Sequence, residues 1–506
     1  MLPRWRQAIE AGPRLAKSPA RPTRYPSRMD LASILASPRY KQQLAKAVAD
    51  TAPETPLRLW CTVSADGWRY REHDVPRPLG TIPDWSSAED GNWRWHHQQL
   101  ALLDAYPSDV PMLIALIDSW SDDDPGFSWG DHTTALRLIR LVNVFGSVFD
   151  LVAADVRERL AGMIATHADR LLHDPAIVRS QHNHALDQIY ALVLAKRHLP
   201  FLPIPDAELV RRFSIERSHL LSRESVVVEN SPGYQSWIPA RIAECQRLLH
   251  GEPDATMLAQ AQAFIDWIAR PDGTYPDIGD TAPGKPASIT SRPLGTCAFP
   301  HAGYVVHRSS EVHCVVKCGF LSHAHRHADD GALQLHAFGQ DWIVEAGMFG
   351  YAPGWEREFA RSPEAHSLSY RVGANVIRST TSRRYQRHRS RWGMTATGNE
   401  AICRSFMFDD AVYTRRLRFG DVIEIEDSFD VPGTIRTRFH VPSDKTIAIE
   451  DGRVTIGGRV AIEHGLPAPR ILPGHRTDAY LSYGPAQVIE FDWPEGVIDC
   501  RFTVRF

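Results

Sequence analysis

The chain has 506 residues, of which 57 are basic and 60 acidic, for a formal charge of −3. At 43% hydrophobic and 23% charged it is too apolar for a disordered protein, and its length allows about two to four domains with full cores. No run approaches the roughly 20 apolar residues of a membrane span. Near-neutral charge also argues against a dedicated nucleic-acid binder, although a local basic patch could still hold a polyanion.

Residues 1–29 are rich in Pro and Arg and read as a flexible tail. They lack the apolar run of roughly 7–15 residues that a secretory signal needs, so a cytoplasmic location is expected. From about residue 30 the apolar spacing is helical. Leu138, Val142, Phe145 and Phe149 follow steps of three and four, as do Val152, Val156, Leu160, Met163, Ile164, His167 and Leu171, and again Leu258, Ala261, Ile265 and Ile268. Breaks at 199–206 and 250–254 separate the helices, with Asp206 and Asp254 expected as N-caps. Many helices of similar length joined by short loops suggest hairpins laid side by side. The segment PDGTYPDIGDTAPGKPAS (271–288) reads as a Gly/Pro-rich linker.

Beyond about residue 300 the period becomes two. GYVVHRS, EVHCVVKC, ALQLHAF and DWIVEAG are short β-branched or aromatic runs, and Val422, Ile423 and Ile425 alternate with acids after a Gly420–Asp421 turn. Asp451–Gly452 and Gly457–Gly458 are hairpin signals, because such turns favour positive φ. The pattern is that of an antiparallel sandwich. Helices followed by strands, without alternation, make the chain α+β and multidomain, with a helical domain over 30–290 and a β domain over 291–506. The seven cysteines are odd in number, scattered and mostly in apolar runs, as buried reduced thiols are. Cys314 and Cys318 are expected on one strand face.

Residues able to do chemistry gather in four places. Ser180–Leu186 (SQHNHAL) opens a helix, and its Asn183–His184 pair could aim an amide and an imidazole at an anion; the plain alternative is an N-cap Asn beside a surface His. Glu229–Trp237 (ENSPGYQSW) exposes Tyr234 on an irregular turn. Ser322–Asp330 (SHAHRHADD) would place His323, His325 and His327 on one face of a strand, able to share a metal or divide between metal and base. Finally, Glu345 ends a strand and His366 lies in a following loop. Both could return to His327, and two His with one carboxylate suit Zn²⁺.

The HAHRHADDGALQLHAFGQDWIVEAGMFGY block (323–351), the later EAHS (364–367), the upstream Asn–His and Gly–Tyr motifs and WRWHHQQLALL (93–103) together resemble the heparinase II/III-like polysaccharide lyases. The resemblance implies an incomplete (α/α) toroid followed by an antiparallel β-sandwich. It also implies β-elimination on a uronic-acid-containing anionic polysaccharide or oligosaccharide. Carried over residue by residue, Asn183 neutralises the uronate carboxylate, His184 and Tyr234 are the proton-transfer pair, and His325 stands beside them. His327, Glu345 and His366 hold a metal, usually zinc and often structural, about one per chain. Glu345 stands where Asp is common. Tyr351 and Arg361 are candidate substrate contacts. Trp93 and Trp95 are candidates to stack on sugar rings, with core packing as the alternative. The stretch Arg378 to Arg391 holds six arginines and no acid, which suits either a solvated face or an anionic polymer. Two competing readings are a metal-dependent hydrolase built on His325, His327 and Asp329, and a non-catalytic polysaccharide-binding relative.

Overall fold

A computed structural model describes residues 31–51, 60–87, 89–122, 125–179 and 181–506. The expected tail over 1–29, and Ser180 of the Asn–His motif, lie outside the described residues. Helices occupy the first half, among them Pro38–Thr51, Asp131–Val148, Ala154–His173, Asn183–His198, Asp206–Leu220, Ile238–His250 and Ala255–Ile268. Asn183–His198 is buried along nearly its whole length, its apolar middle Ile189–Ala195 in the core and its polar N-terminal stretch, with Asn183, Asp187 and Gln188, buried as well. Asp131–Val148, Asp206–Leu220 and Ile238–His250 pack around it, which fixes its N-terminus, and with it Asn183 and His184, inside the molecule.

Asp254 caps the last of these helices by accepting from the Met257 N–H at 3.0 Å. Asp206 does not cap. Pro205, held extended, takes the cap position, and Asp206 becomes the first helical residue, where its charge favours the positive end of the helix.

The second half consists of antiparallel sheets. A five-stranded meander runs through Gly295–Phe299, Tyr304–Arg308, Val312–Lys317, Ala332–Ala337 and Gln340–Ile343. An eight-stranded sheet contains Val422–Phe429 and Asp499–Arg505 as neighbours, and a four-stranded sheet contains Ile435–Pro442 between Ser369–Arg371 and Ser482–Asp492. Ile425, Phe439, Phe491, Phe502 and Val504 fill one core shared by these sheets. The Asp451–Gly452 and Gly457–Gly458 turns lie where the alternation places them, between strands 447–450, 453–456 and 460–464. No described helix is long and apolar enough to cross a membrane.

Residues 271–288 are not a free linker. Tyr275 and Ile278 are buried with Phe264, Ile268, Phe299, Tyr304 and Val315 in a separate apolar cluster that joins the last long helix to the first sheet. Gly and Pro supply the bends, and two apolar side chains dock the segment. The docking carries Asp277 and Asp280 into the interior.

Candidate active site

The helical wall of the site begins at His182, the residue that actually caps helix Asn183–His198: its Nδ1 accepts from the His184 N–H at 3.2 Å. Asn183 is therefore the first helical residue. Its backbone N–H donates to Glu229 Oε1 at 2.9 Å. Its side chain is 3% exposed, and Oδ1 is buried without a partner among the described residues, an arrangement that native proteins keep for a reason. His184 points its Nδ1 at Asp131 Oδ2, 3.1 Å away, and stacks on His132 with ring centroids 4.0 Å apart. His132 in turn reaches Asp187 Oδ2 at 2.9 Å. Burial, followed by the neighbouring His132, lowers the pKa of His184. For Asp131, burial alone would raise the carboxyl, but the hydrogen bond and charge of His184 outweigh it and hold it low.

The other wall comes from the turn Pro232–Ser236 and from the loop between strands Val312–Lys317 and Ala332–Ala337. That loop corrects the expected alternation. Residues 322–330 form no strand, so the three histidines do not share a face. His323 is exposed, while His327 is buried. His325 takes a left-handed backbone, φ 55°, which costs a non-glycine residue about 1 kcal/mol or more. Hydrogen bonds over-determine the loop: Asn230, itself at φ 59°, donates from Nδ2 to the Ser322 carbonyl at 2.7 Å and to the Ala324 carbonyl at 2.9 Å.

Held in this way, the His325 ring stacks on Tyr234 with centroids 4.0 Å apart. The Tyr234 hydroxyl lies 3.1 Å from that of Tyr351, which lies 3.3 Å from His325 Nδ1. The same Nδ1 is 3.0 Å from Asp280 Oδ2, and Nε2 faces Glu229 Oε2 at 3.5 Å. Asp280 is the hub: His327 Nε2 meets its Oδ1 at 3.0 Å, and Arg357 clamps both oxygens at 2.5 and 2.9 Å. Burial would raise the Asp280 carboxyl, yet hydrogen bonds from His325, His327 and Arg357 hold it well below its usual range. Glu229 goes the other way, raised by burial and only partly offset by His325. Asn183, His184, Tyr234, His325 and Tyr351 are thus gathered at the junction of the two halves, and Glu229 ties the Asn183 wall to His325. Arg361 lies nearby. Its carbonyl accepts from the Ala328 N–H at 3.1 Å, and its half-buried guanidinium feels Asp280 and Glu358 without forming a salt bridge among the described residues.

His327, Glu345 and His366 also meet, all buried. The His327 and His366 ring centroids are 5.5 Å apart, and His327 Nδ1 and His366 Nε2 are buried without partners. Two orphaned imidazole nitrogens beside a carboxylate are the donor types zinc takes. As they stand, Glu345 is hydrogen-bonded through Oε2 to His366 Nδ1 and through Oε1 to the Ser367 N–H. Among the described residues no group of three or more His, Cys, Asp or Glu is placed to hold a metal ion as the side chains stand. The Glu345 carboxylate draws the His366 pKa upward against the effect of burial.

Two sequence expectations are corrected. Trp93 is 1% exposed, packed on Tyr70 and His97 beneath the Arg77 guanidinium, so it cannot stack on a sugar. Trp95 is half-buried and reaches the site's wall at His132, centroids 5.3 Å apart. The hydrolase arrangement of His325, His327 and Asp329 also fails. Both histidines turn to Asp280, and Asp329 forms a buried ion pair with Lys317 at 2.6 Å.

Sequence reasoning missed Asp280, Arg357, Asp131 and His132. Asp280 sits in a segment that reads as a linker, and nothing in its spacing marks it. Glu229 opens a segment that was singled out, and only its adjacency to Asn230 and Tyr234 could have suggested it.

Residues 292–465 match the family model described as Heparinase II/III-like, C-terminal. Over most of its length the chain shares its fold with solved structures. A heparinase III aligns at 15% identity over 96% of this chain and 87% of that one, with TM-score 0.65. Heparan sulfate lyase HepC from Pedobacter heparinus aligns at 15% identity over 94% and 88%, with TM-score 0.58. A heparinase III gene product aligns at 15% identity over 92% and 84%, with TM-score 0.61. No curated protein matches the chain in sequence. The resemblance to the heparinase II/III-like proteins thus holds in sequence over residues 292–465 and in fold over nearly the whole chain.

Proposed function

We propose that the protein is a polysaccharide lyase, a carbon–oxygen lyase that cleaves a uronic-acid-containing anionic polysaccharide by β-elimination. The observation that carries this reading is the gathering of a buried amide, Asn183, with Tyr234, Tyr351 and His325 linked hydroxyl to hydroxyl to imidazole. In the reaction the C5 proton passes to a base, the C4–O bond breaks as the C4–C5 double bond forms, and a proton is delivered to the leaving oxygen. The C5 proton is poorly acidic while the adjacent carboxylate is ionised. Asn183, with the half-buried Arg361 on the same side of the site as Asp280, stabilises the negative charge that builds on that carboxylate.

His184, kept neutral by burial and oriented by Asp131, is the base when the C5 proton faces the helical wall. Tyr234 supplies the proton to the leaving oxygen and is recharged through Tyr351 and His325. For the C5 epimer whose proton lies on the same side as the leaving oxygen, Tyr234 performs both transfers. Trp95 and Tyr351 line the approach. His327, Glu345 and His366 would hold a zinc ion if one binds, and it would then brace the 361–367 segment beside His325 without entering the proton transfers.

The test is ultraviolet absorbance with a panel of uronate polymers. An elimination creates a conjugated double bond and a rising signal. Chain shortening without that signal would overturn the reading in favour of hydrolysis.

A further inference from the structure

The proposed elimination leaves the arginine-rich stretch 378–391 without a role. Within it a short helix, Arg383–His388, sets Arg383 and Arg387 four residues apart on one face, a like-charge pair that weakens a helix. Both are exposed, as are Arg389 and Arg391. Arg404, on the neighbouring strand Glu400–Ser405, adds a further exposed cation. The arginines crowd one ring. The guanidinium carbons of Arg384, Arg391 and Arg404 lie 6.0, 5.4 and 5.7 Å from the Phe406 centroid, and His388 stacks on the same ring at 4.3 Å. Arg384 is committed to the Phe406 and Ala411 carbonyls, and Arg391 to His388 Nδ1. Among the described residues no carboxylate pairs with Arg383, Arg387, Arg389, Arg391 or Arg404.

This concentration of uncompensated charge sits on a chain that is acidic overall. Among the described residues no acid offsets the repulsion, which leaves the patch suited to an external anion.

The patch is also anchored to the site at both ends. Arg378 pairs with Glu358 at 2.7 Å, on the helix Trp355–Ala360 that carries Arg357 to Asp280. At the other end Trp392 Nε1 donates to Asp330 Oδ2 at 2.7 Å, the same oxygen that Arg326 holds at 2.9 Å. The loop bearing His325 and the arginine stretch therefore form one braced unit.

We infer that Arg383, Arg387 and Arg389, with Arg391 and Arg404 behind them, form a second, non-catalytic site for the anionic polysaccharide, holding the part of a long chain that extends beyond the elimination centre. The inference rests on the polysaccharide reading and adds a length requirement. A polymer long enough to reach both places gains from simultaneous engagement, and a short oligosaccharide does not. His388, whose pKa burial and then Arg391 hold down, gives an internal probe, because a bound polyanion offsets the arginines and raises it.

The test compares wild type with the triple variant R383Q/R387Q/R389Q, each also made in a Tyr234→Phe background so that binding is measured without turnover. The probes are long heparan sulfate, long alginate and a tetrasaccharide of each, with a DNA oligonucleotide and anionic lipid vesicles as rival polyanions. For at least one long polymer the triple variant is expected to bind about tenfold more weakly, with a shallower salt dependence, while tetrasaccharide binding and melting temperature stay unchanged. The His388 pKa should rise with that long polymer and not with its tetrasaccharide. Equal binding of both long polymers by variant and parent overturns the inference. So does stronger patch-dependent binding to a DNA oligonucleotide or to anionic lipid vesicles than to either polysaccharide. Patch-dependent polymer binding with no absorbance gain on any uronate polymer would overturn the lyase reading and leave the second site standing. An absorbance gain with KM on long chains unchanged by the triple variant would do the reverse.

Discussion

At the scale of single residues, Tyr234 is the most exposed to test, because its hydroxyl begins the chain to Tyr351 and His325. Tyr234→Phe keeps the ring that stacks on His325 and removes only the proton carrier. The expected loss in kcat is about 10²–10⁴ with an unchanged melting temperature, and near-wild-type kcat would remove Tyr234 from the mechanism. His184 makes a prediction about pH. Burial, followed by the neighbouring His132, lowers its pKa from the ordinary range, so the neutral form predominates at pH 6.5 and the midpoint of protonation lies lower. If it is the base, the acidic limb of kcat/KM falls below pH 6.5, and His184→Ala lowers the plateau and removes the limb. A limb at or above pH 7 would point to another group. Asn183, His184, Tyr234 and His325 were all legible as residue types in local motifs. Their partners Asp131 and Asp280 were not, since each comes from a segment 45 or more positions away.

Among elements, the segment 271–288 matters most for the site. It reads as a linker because Gly and Pro dominate it, yet Tyr275 and Ile278 dock it and Asp280 joins three cations or potential cations. Gly279, at φ +54°, makes that placement possible. A Cβ there would sit 2.4 Å from the Asn230 carbonyl oxygen and 2.7 Å from that of His325, both backbone atoms that cannot swing aside. Gly284 has a similar φ of +64° but nothing within 4 Å. Gly284→Ala should therefore cost only the left-handed backbone, about 1 kcal/mol, and leave activity intact. Gly279→Ala should cost several times that in chemical denaturation and displace Asp280, with a matching fall in kcat. Equal effects for the two would mean that the close approach does not shape the site.

For the molecule as a whole, the buried cluster of His327, Glu345 and His366 links the loop after strand Val312–Lys317 to the segment that follows Pro363–Ala365. If it binds zinc, elemental analysis should find about one ion per chain, and chelation should lower the melting temperature along with activity, because binding free energy becomes folding free energy. Chelated protein with unchanged stability would leave the cluster as a buried His366–Glu345 pair whose two spare imidazole nitrogens serve another purpose.

Periodicity was enough to determine the order of the two halves. Steps of three and four give helices, steps of two give strands, and Asp254, Asp451–Gly452 and Gly457–Gly458 mark their ends by local backbone chemistry that neighbours alone dictate. The histidines at 323, 325 and 327 show where that locality stops. Alternation put them on one strand face, but the chain turns there, with His325 in a left-handed conformation paid for by distant partners at Asn230 and Asp280. Which imidazole faces the substrate, which is buried and which carboxylate each one meets depend on pairings across tens of residues. Such contacts have no period, and only the packed tertiary structure decides them.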